Sequence, residues 1–249
     1  MRHSSERQVK LLEATTDERL ICWLAGEILD GESVAIGNNS AIPAAAALLA
    51  KETHAPNSLP VILGDDKHWP FQGMDQFFAW IQRGEADLFF LGGAQIDAYG
   101  SVNLTVIGEY DRPKVRLPGG AGSGMLYYRC RRVVLFKTDH HVKGFPDRLD
   151  FKTANASPQW REPGFGILSG VYTPIALLKP ALESGRLILS QTAEGISPEE
   201  VLRRTGFNLA VDKTIGLLKE PTAYQLEKLR TVVKEALKRT YPAFAVRRL

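Results

Sequence analysis

Three short apolar runs, "SVAIG", "SLPVILG" and "ADLFFLGG", each end in glycine within the first 93 residues, and helix-patterned segments separate them. This alternation constrains the chain more than any other feature. Strands of a few apolar residues that alternate with helices fold most readily as a parallel sheet with helices on both faces. The helical segments carry their own punctuation. In "TTDERLICWLAGEILDG", Thr16 suits the cap, Asp17 and Glu18 suit the positive end, and Gly31 suits the stop. Ile21, Leu24, Ala25 and Ile28 then share one face. "AIPAAAALLAKE" places Pro43 in a first helical turn, and "MDQFFAWIQRG" closes at Gly84.

After Leu91 the pattern changes. "AQIDAYGSVNLTVIG" reads as strand, turn, strand, with Asp97 and Gly100 supplying the turn. Beyond the loop "LPGGAGSG", the segments "RRVVLFKT", "FGILSG", "VYTPIALL" and "RLILSQT" are strand-like. "SPEEVLRRTG" is a helix capped by Ser197, with Pro198 in its first position, and "TAYQLEKLRTVVKEALKR" is a longer amphipathic one. The fold expected is α/β, an open mixed β-sheet flanked by helices, in a single domain over 1–249.

Glycine-bearing loops follow the first three strands: "AIGNNSAIP", "ILGDD" and "LGGAQ". Ligands of open α/β sheets lie outside the carboxyl ends of the strands, so these loops, joined by "LPGGAGSG", are the candidate crevice. Known nucleotide and metal loops do not fit. "GGAGSG" has no following Lys-Ser or Lys-Thr, "GGAQID" lacks the dinucleotide spacing, and Asp97 has no alternating partners for calcium. The ionisable candidates are Asp65, Asp66 and His68 in "GDDKHWP", and Asp139, His140 and His141 in "KTDHHVKG". Such groups serve as acid/base couples, as incomplete metal sets, or, most often, as hydrogen-bonded turn residues.

A formal net charge of +3, with basic residues spread along the chain, does not point to nucleic acid. Cys22 and Cys130 have neither CxxC nor His-rich company, which argues for free thiols and against zinc. "MRHSSERQVK" leads into no apolar stretch, and no run approaches membrane-spanning length. A cytoplasmic protein is expected.

Taken in order, "VAIGNNSAIP", "THAPNSLPVILGD", "ADLFFLGGAQIDAYGSVNLTVIG", "LPGGAGS" and "EGISPEEVLRRTGFNL" resemble the β-type subunit of the family I CoA-transferases, the glutaconate and 3-oxoacid group. The resemblance implies a sheet of the kind also seen in sugar-phosphate isomerases. It also implies an α-type partner subunit, in αβ or α2β2 assembly, and an acyl-CoA thioester as substrate with no permanently bound cofactor and no metal.

In that family a glutamate in a Glu-Asn-Gly motif attacks the thioester. Setting the motif's glycine on Gly64 puts Ile62 at the glutamate and Leu63 at the asparagine, and an isoleucine is no nucleophile. Neither Asp65 nor Asp66 has the family's position. The resemblance assigns the oxyanion-stabilising N–H to Gly120, flanked by Gly119 and Ala121. It assigns acyl-CoA contacts to Gly37, Asn38, Gly64, Gly92, Gly93 and Gln95. Two offshoots of the family also lack the glutamate, a decarboxylase and a ring-opening hydrolase of CoA thioesters, and the sequence looks closer to these. CoA transfer, hydrolysis or decarboxylation, and a non-catalytic scaffold role all remain open on these residues.

Overall fold

The three apolar runs become parallel neighbours. A computed structural model describes residues 13–155 and 165–249, and in it the chain begins with α1 (Thr16–Ala25), β1 (Ser33–Ile36), α2 (Ala41–Glu52), β2 (Leu59–Ile62), α3 (Met74–Gln82) and β3 (Leu88–Gly92). β1 pairs in parallel with β2 on one side and β3 on the other. The helix ends differ from expectation in α1. Thr15, not Thr16, is its N-cap, because only the Thr15 hydroxyl reaches the Glu18 amide while the Glu18 carboxylate returns to the Thr15 N–H. The helix also ends at Ala25, so Gly31 (φ +84°) serves a later turn and not the stop.

From β3 the chain leaves the sheet for two small hairpins. β4 (Gln95–Ile96) pairs with β5 (Val102–Asn103), and β6 (Val106–Gly108) pairs with β7 (Pro113–Arg116). The first turn uses the residues expected of it. The Asp97 carboxylate accepts from the Tyr99 and Ser101 amides, both at 2.9 Å, and Gly100 takes φ +74°. The second hairpin was not visible in the sequence, and neither was α4 (Ser123–Arg129), which follows the glycine loop.

The chain returns with β8 (Arg132–Phe136), β9 (Ile167–Tyr172), β10 (Ala176–Pro180), β11 (Leu187–Thr192), α5 (Pro198–Arg204) and β12 (Ala210–Leu217). "FGILSG" and "VYTPIALL" divide elsewhere than their composition suggests: β9 runs on through Tyr172, and the turn falls at Thr173, whose N–H and hydroxyl bond to the Ala176 carbonyl. The sheet order is β12-β11-β10-β9-β8-β3-β1-β2, and β10 alone runs against its neighbours. α6 (Ala223–Lys228), a π-helical stretch (Leu229–Val233), α7 (Lys234–Leu237) and α8 (Pro242–Arg248) close the chain.

Successive residues of the central strands enter opposite cores, as a sheet covered on both faces requires. Val34, Ile36, Ile62, Leu88 and Phe90 pack with Leu20, Leu24 and Leu49 and with Leu229, Val233 and Leu237 of the C-terminal helices. Ala35, Val61, Phe89 and Leu91 pack with Phe77, Trp80 and Ile81 of α3 and Leu126 and Tyr127 of α4. β2 is an edge strand, yet its outer rim is closed. Pro60 has no N–H, the Ile62 N–H donates to the His68 carbonyl at 2.9 Å, and the Ile62 carbonyl accepts from the Asp65 amide at 3.1 Å. No described helix is long and apolar enough to cross a membrane.

Candidate functional site

From β1 the chain goes to β2 on one side and then crosses back to β3 on the other, so the strand order switches direction at β1. Loops diverge at such a point and leave a crevice at the carboxyl ends of the strands. A cleft of about 500 Å³ opens there, lined by residues 39–43, Phe136, Thr138 and residues 240–244. Its floor is the β1–α2 loop, in which Asn39 takes φ +56°. One wall is the end of β8, and the other is the start of α8. The Tyr241 hydroxyl accepts a hydrogen bond from the Ser40 amide at 3.3 Å and so ties α8 to the entry of α2. Burial raises the Tyr241 pKa, and the nearby Asp65 charge adds to this while the Ser40 amide opposes it.

The loop after β2 reaches the same cleft through Thr240. Asp65 is 2 % exposed, and its carboxylate accepts from the Lys67 amide at 2.9 Å, from Thr240 Oγ1 at 3.1 Å and from Arg239 Nη2 at 3.4 Å, with His68 Nδ1 at 3.3 Å. Burial pushes the Asp65 carboxyl up, but these donors outweigh it and hold it below the usual carboxylate range. For His68 burial wins: its pKa is lowered although Asp65 pulls it up. Asp65 is therefore a committed anchor for the C-terminal segment. Asp66 is exposed. Gly64 stands at φ +85°, and a Cβ there would lie 3.8 Å from Thr240 Cγ2. Ile62 is 1 % exposed and sits within the apolar core.

Gly92 lies against Phe136, which lines the cleft, while Gly37 and Asn38 lead into its floor. Gly93 is held by a residue that no sequence motif singled out. Lys137, buried at the end of β8, donates to the carbonyls of Gly93 at 3.1 Å and Ala94 at 3.2 Å and pairs with Asp139 at 3.3 Å. Gln95 has its amide engaged within the protein: it accepts from Asn103 Nδ2 at 2.7 Å and the Asp150 amide at 3.0 Å, and donates to Asp150 Oδ2 at 3.0 Å.

Gly119, Gly120 and Ala121 form a separate bend that shares no lining residue with the cleft. The Gly119 amide donates to the Leu104 carbonyl at 2.9 Å, with φ +92° at Gly119 and +45° at Ala121. Among the described residues, the N–H groups of Gly120 and Ala121 meet no acceptor. Backbone of alternating hand with free N–H groups makes a concave donor surface suited to negative charge. No larger residue than glycine fits at 120, because a Cβ would collide with Thr153 Cγ2 and come within 2.8 Å of Ser123 Oγ.

The Asp139-His140 pair does not join the cleft as an acid/base couple. Asp139 is exposed and also faces His141 at 3.5 Å. His140 is buried between two hydroxyls, Thr173 Oγ1 at 2.9 Å and Thr205 Oγ1 at 3.1 Å, with its ring stacked on Phe145. Desolvation lowers its pKa to about 4, so it is a neutral core histidine. Among the described residues no group of three or more His, Cys, Asp or Glu side chains comes together as a metal would need. Thr240, Tyr241 and Phe244 were not among the sequence candidates. The only local signal for them was the Tyr-Pro pair that starts α8.

Comparison with known proteins agrees with this architecture. The family model described as Coenzyme A transferase matches residues 67–204. The B-type subunit of the 3-oxoadipate CoA-transferase of Pseudomonas knackmussii is 32 % identical over 163 residues, covering 63 % of this chain and 62 % of that protein, so the match spans under two thirds of that relative's length. The B-type subunit of the glutaconate CoA-transferase of Acidaminococcus fermentans is 29 % identical over 238 residues, covering 82 % of this chain and 86 % of that one. The crystal structure of the glutaconate enzyme superposes with a TM-score of 0.79 at 25 % identity, covering 88 % of this chain and 95 % of that one. The decarboxylase AibA/AibB shares the fold, with a TM-score of 0.77 at 24 % identity, covering 88 % of this chain and 94 % of that one.

Proposed function

Because the chain belongs to the coenzyme A transferase family, we propose that it is the β-type subunit of a heteromeric enzyme that takes an acyl-CoA thioester at the carboxyl edge of its sheet. The observation that carries this reading is the meeting of the loop after β1, the end of β8 and the start of α8 around one cleft at the switch point, with the loop after β2 tied to its wall through Asp65 and Thr240. Gly37, Asn38, Gly64, Gly92 and Gly93 line the approach to the thioester, with Gln95 bracing the hairpin behind them. The resemblance assigns the thioester oxygen to the Gly120 N–H, flanked by Gly119 and Ala121 on the separate bend, so the thioester would extend from the cleft to that bend. Losing one such donor costs about 3 to 4 kcal/mol in other enzymes. No resident cofactor is required, since the CoA thioester enters as substrate. The relatives named as B-type subunits suggest an A-type partner in αβ or α2β2 assembly. The free, buried Cys22 and Cys130 suit a reducing, cytoplasmic setting. Titration calorimetry on the chain assembled with an A-type partner tests the reading: acyl-CoA binds the assembly, and an assembly that binds none refutes it.

Ile62 favours a second reading. With an isoleucine where the resemblance sets the glutamate, the covalent route to transfer lacks its nucleophile at the family's position. Decarboxylation or carbon–carbon hydrolysis, with a base from the partner, then replaces transfer. Label that moves from acyl-CoA to the thioester of an acceptor acid supports transfer, whereas a shortened or ring-opened product supports the second reading. A fully inert complex, with the chain only stabilising its partner, yields neither.

A further inference from the structure

The cleft at the switch point is lined by Asn, Ser, Thr and Tyr as its polar residues and otherwise by Ala, Ile, Pro and Phe; none of its described lining residues carries a charge. From this, and resting on the acyl-CoA reading above, we infer that the cleft takes an uncharged, largely apolar acyl group, in contrast to the dicarboxylic acids after which the glutaconate and 3-oxoadipate relatives are named.

Two cations, Lys137 and Arg239, are chain neighbours of lining residues, and both are already engaged. Lys137 stands between Phe136 and Thr138, but its ammonium is turned away onto the Gly93 and Ala94 carbonyls and Asp139. Arg239 precedes Thr240 and lies on Asp65. A substrate carboxylate that drew Arg239 away would compete with Asp65, 2 % exposed, for its cation and leave that buried carboxylate the Lys67 amide, the Thr240 hydroxyl and His68. A second carboxylate in the cleft would thus lose its water and gain only neutral donors, with no cation to pair with. The apolar surfaces of Ile42, Phe136 and Phe244 instead offer dispersion and burial to methylene groups. About 500 Å³ is ample for a medium-length chain.

The test compares hexanoyl-CoA, glutaryl-CoA and free CoA by calorimetry on the assembled complex. Hexanoyl-CoA is expected to bind at least tenfold more tightly than glutaryl-CoA. Thr138→Lys, at an exposed position on the rim, is expected to shrink that ratio at least tenfold, with assembly checked by size-exclusion chromatography. Equal or tighter binding of glutaryl-CoA by the unaltered complex overturns the inference while the acyl-CoA reading stands. Failure of all three ligands to bind overturns both.

Discussion

Gly120 shows how a single residue serves two demands. The resemblance marks it for its N–H, but the space around its Cα is equally restrictive, because Thr153, 33 positions onward, leans on it. A bulky replacement therefore disturbs the loop as well as any oxyanion contact. Gly120→Ala is expected to destabilise the protein by about 1 to 3 kcal/mol through overpacking. Thr153→Ser keeps the hydroxyl that accepts from the Leu104 amide and removes the nearest clashing methyl, so the double variant should recover part of the loss in a denaturant titration, the Ser123 Oγ contact remaining. If the double variant remains as unstable as Gly120→Ala, this packing account is wrong. At this scale the sequence shows what is local. Asp97 and Gly100 were legible because a turn bonds to itself, whereas the Gly120–Thr153 contact joins loops that no short-range pattern connects.

Helices with their own caps were the most legible elements, and even there the register could slip by one. Two adjacent threonines, Thr15 and Thr16, offer the same hydroxyl, and only the three-residue spacing to Glu18 decides between them. Thr15→Ala should cost about 1 kcal/mol, and Thr16→Ala, on an exposed position, less than about 0.5 kcal/mol. Thermal denaturation of the two variants checks this, and equal losses would contradict the cap assignment. Two of the elements that escaped notice, α4 and β12, did so for identifiable reasons. α4 is seven residues long, begins inside a glycine loop and contains Gly124, which masks its periodicity. β12 is exposed along most of its length and shows neither alternation nor a buried run. Both are set by neighbours: α4 by the core beneath α3, β12 by its pairing with β11.

Over the whole molecule, the cleft depends on residues about 200 positions apart, with Ser40 bonded to Tyr241 and Asp65 to Thr240. The glycine loops on one rim were legible from strand ends. The opposing wall was not, because it exists only once the C-terminal helices fold back over the first core. Acid stability is a property of this scale too. His140 binds its proton at about pH 4 in the folded protein against 6.5 for the ordinary side chain, so the unfolded chain takes up the proton first as pH falls. The stabilising contribution is complete above about pH 6.5 and declines to about pH 4, amounting to about 3 kcal/mol. His140→Gln should flatten the fall in stability across that window in urea titrations, and an unchanged slope would assign it to other groups. The closed rim of β2 has a consequence for how such molecules keep company. With a proline at one outward position and both outward groups of Ile62 already bonded at another, this border offers no ladder for a second sheet to zip onto. Crowded copies that meet along it have nothing to polymerise through, and any partner that settles on this side must be recognised by the shapes of its side chains.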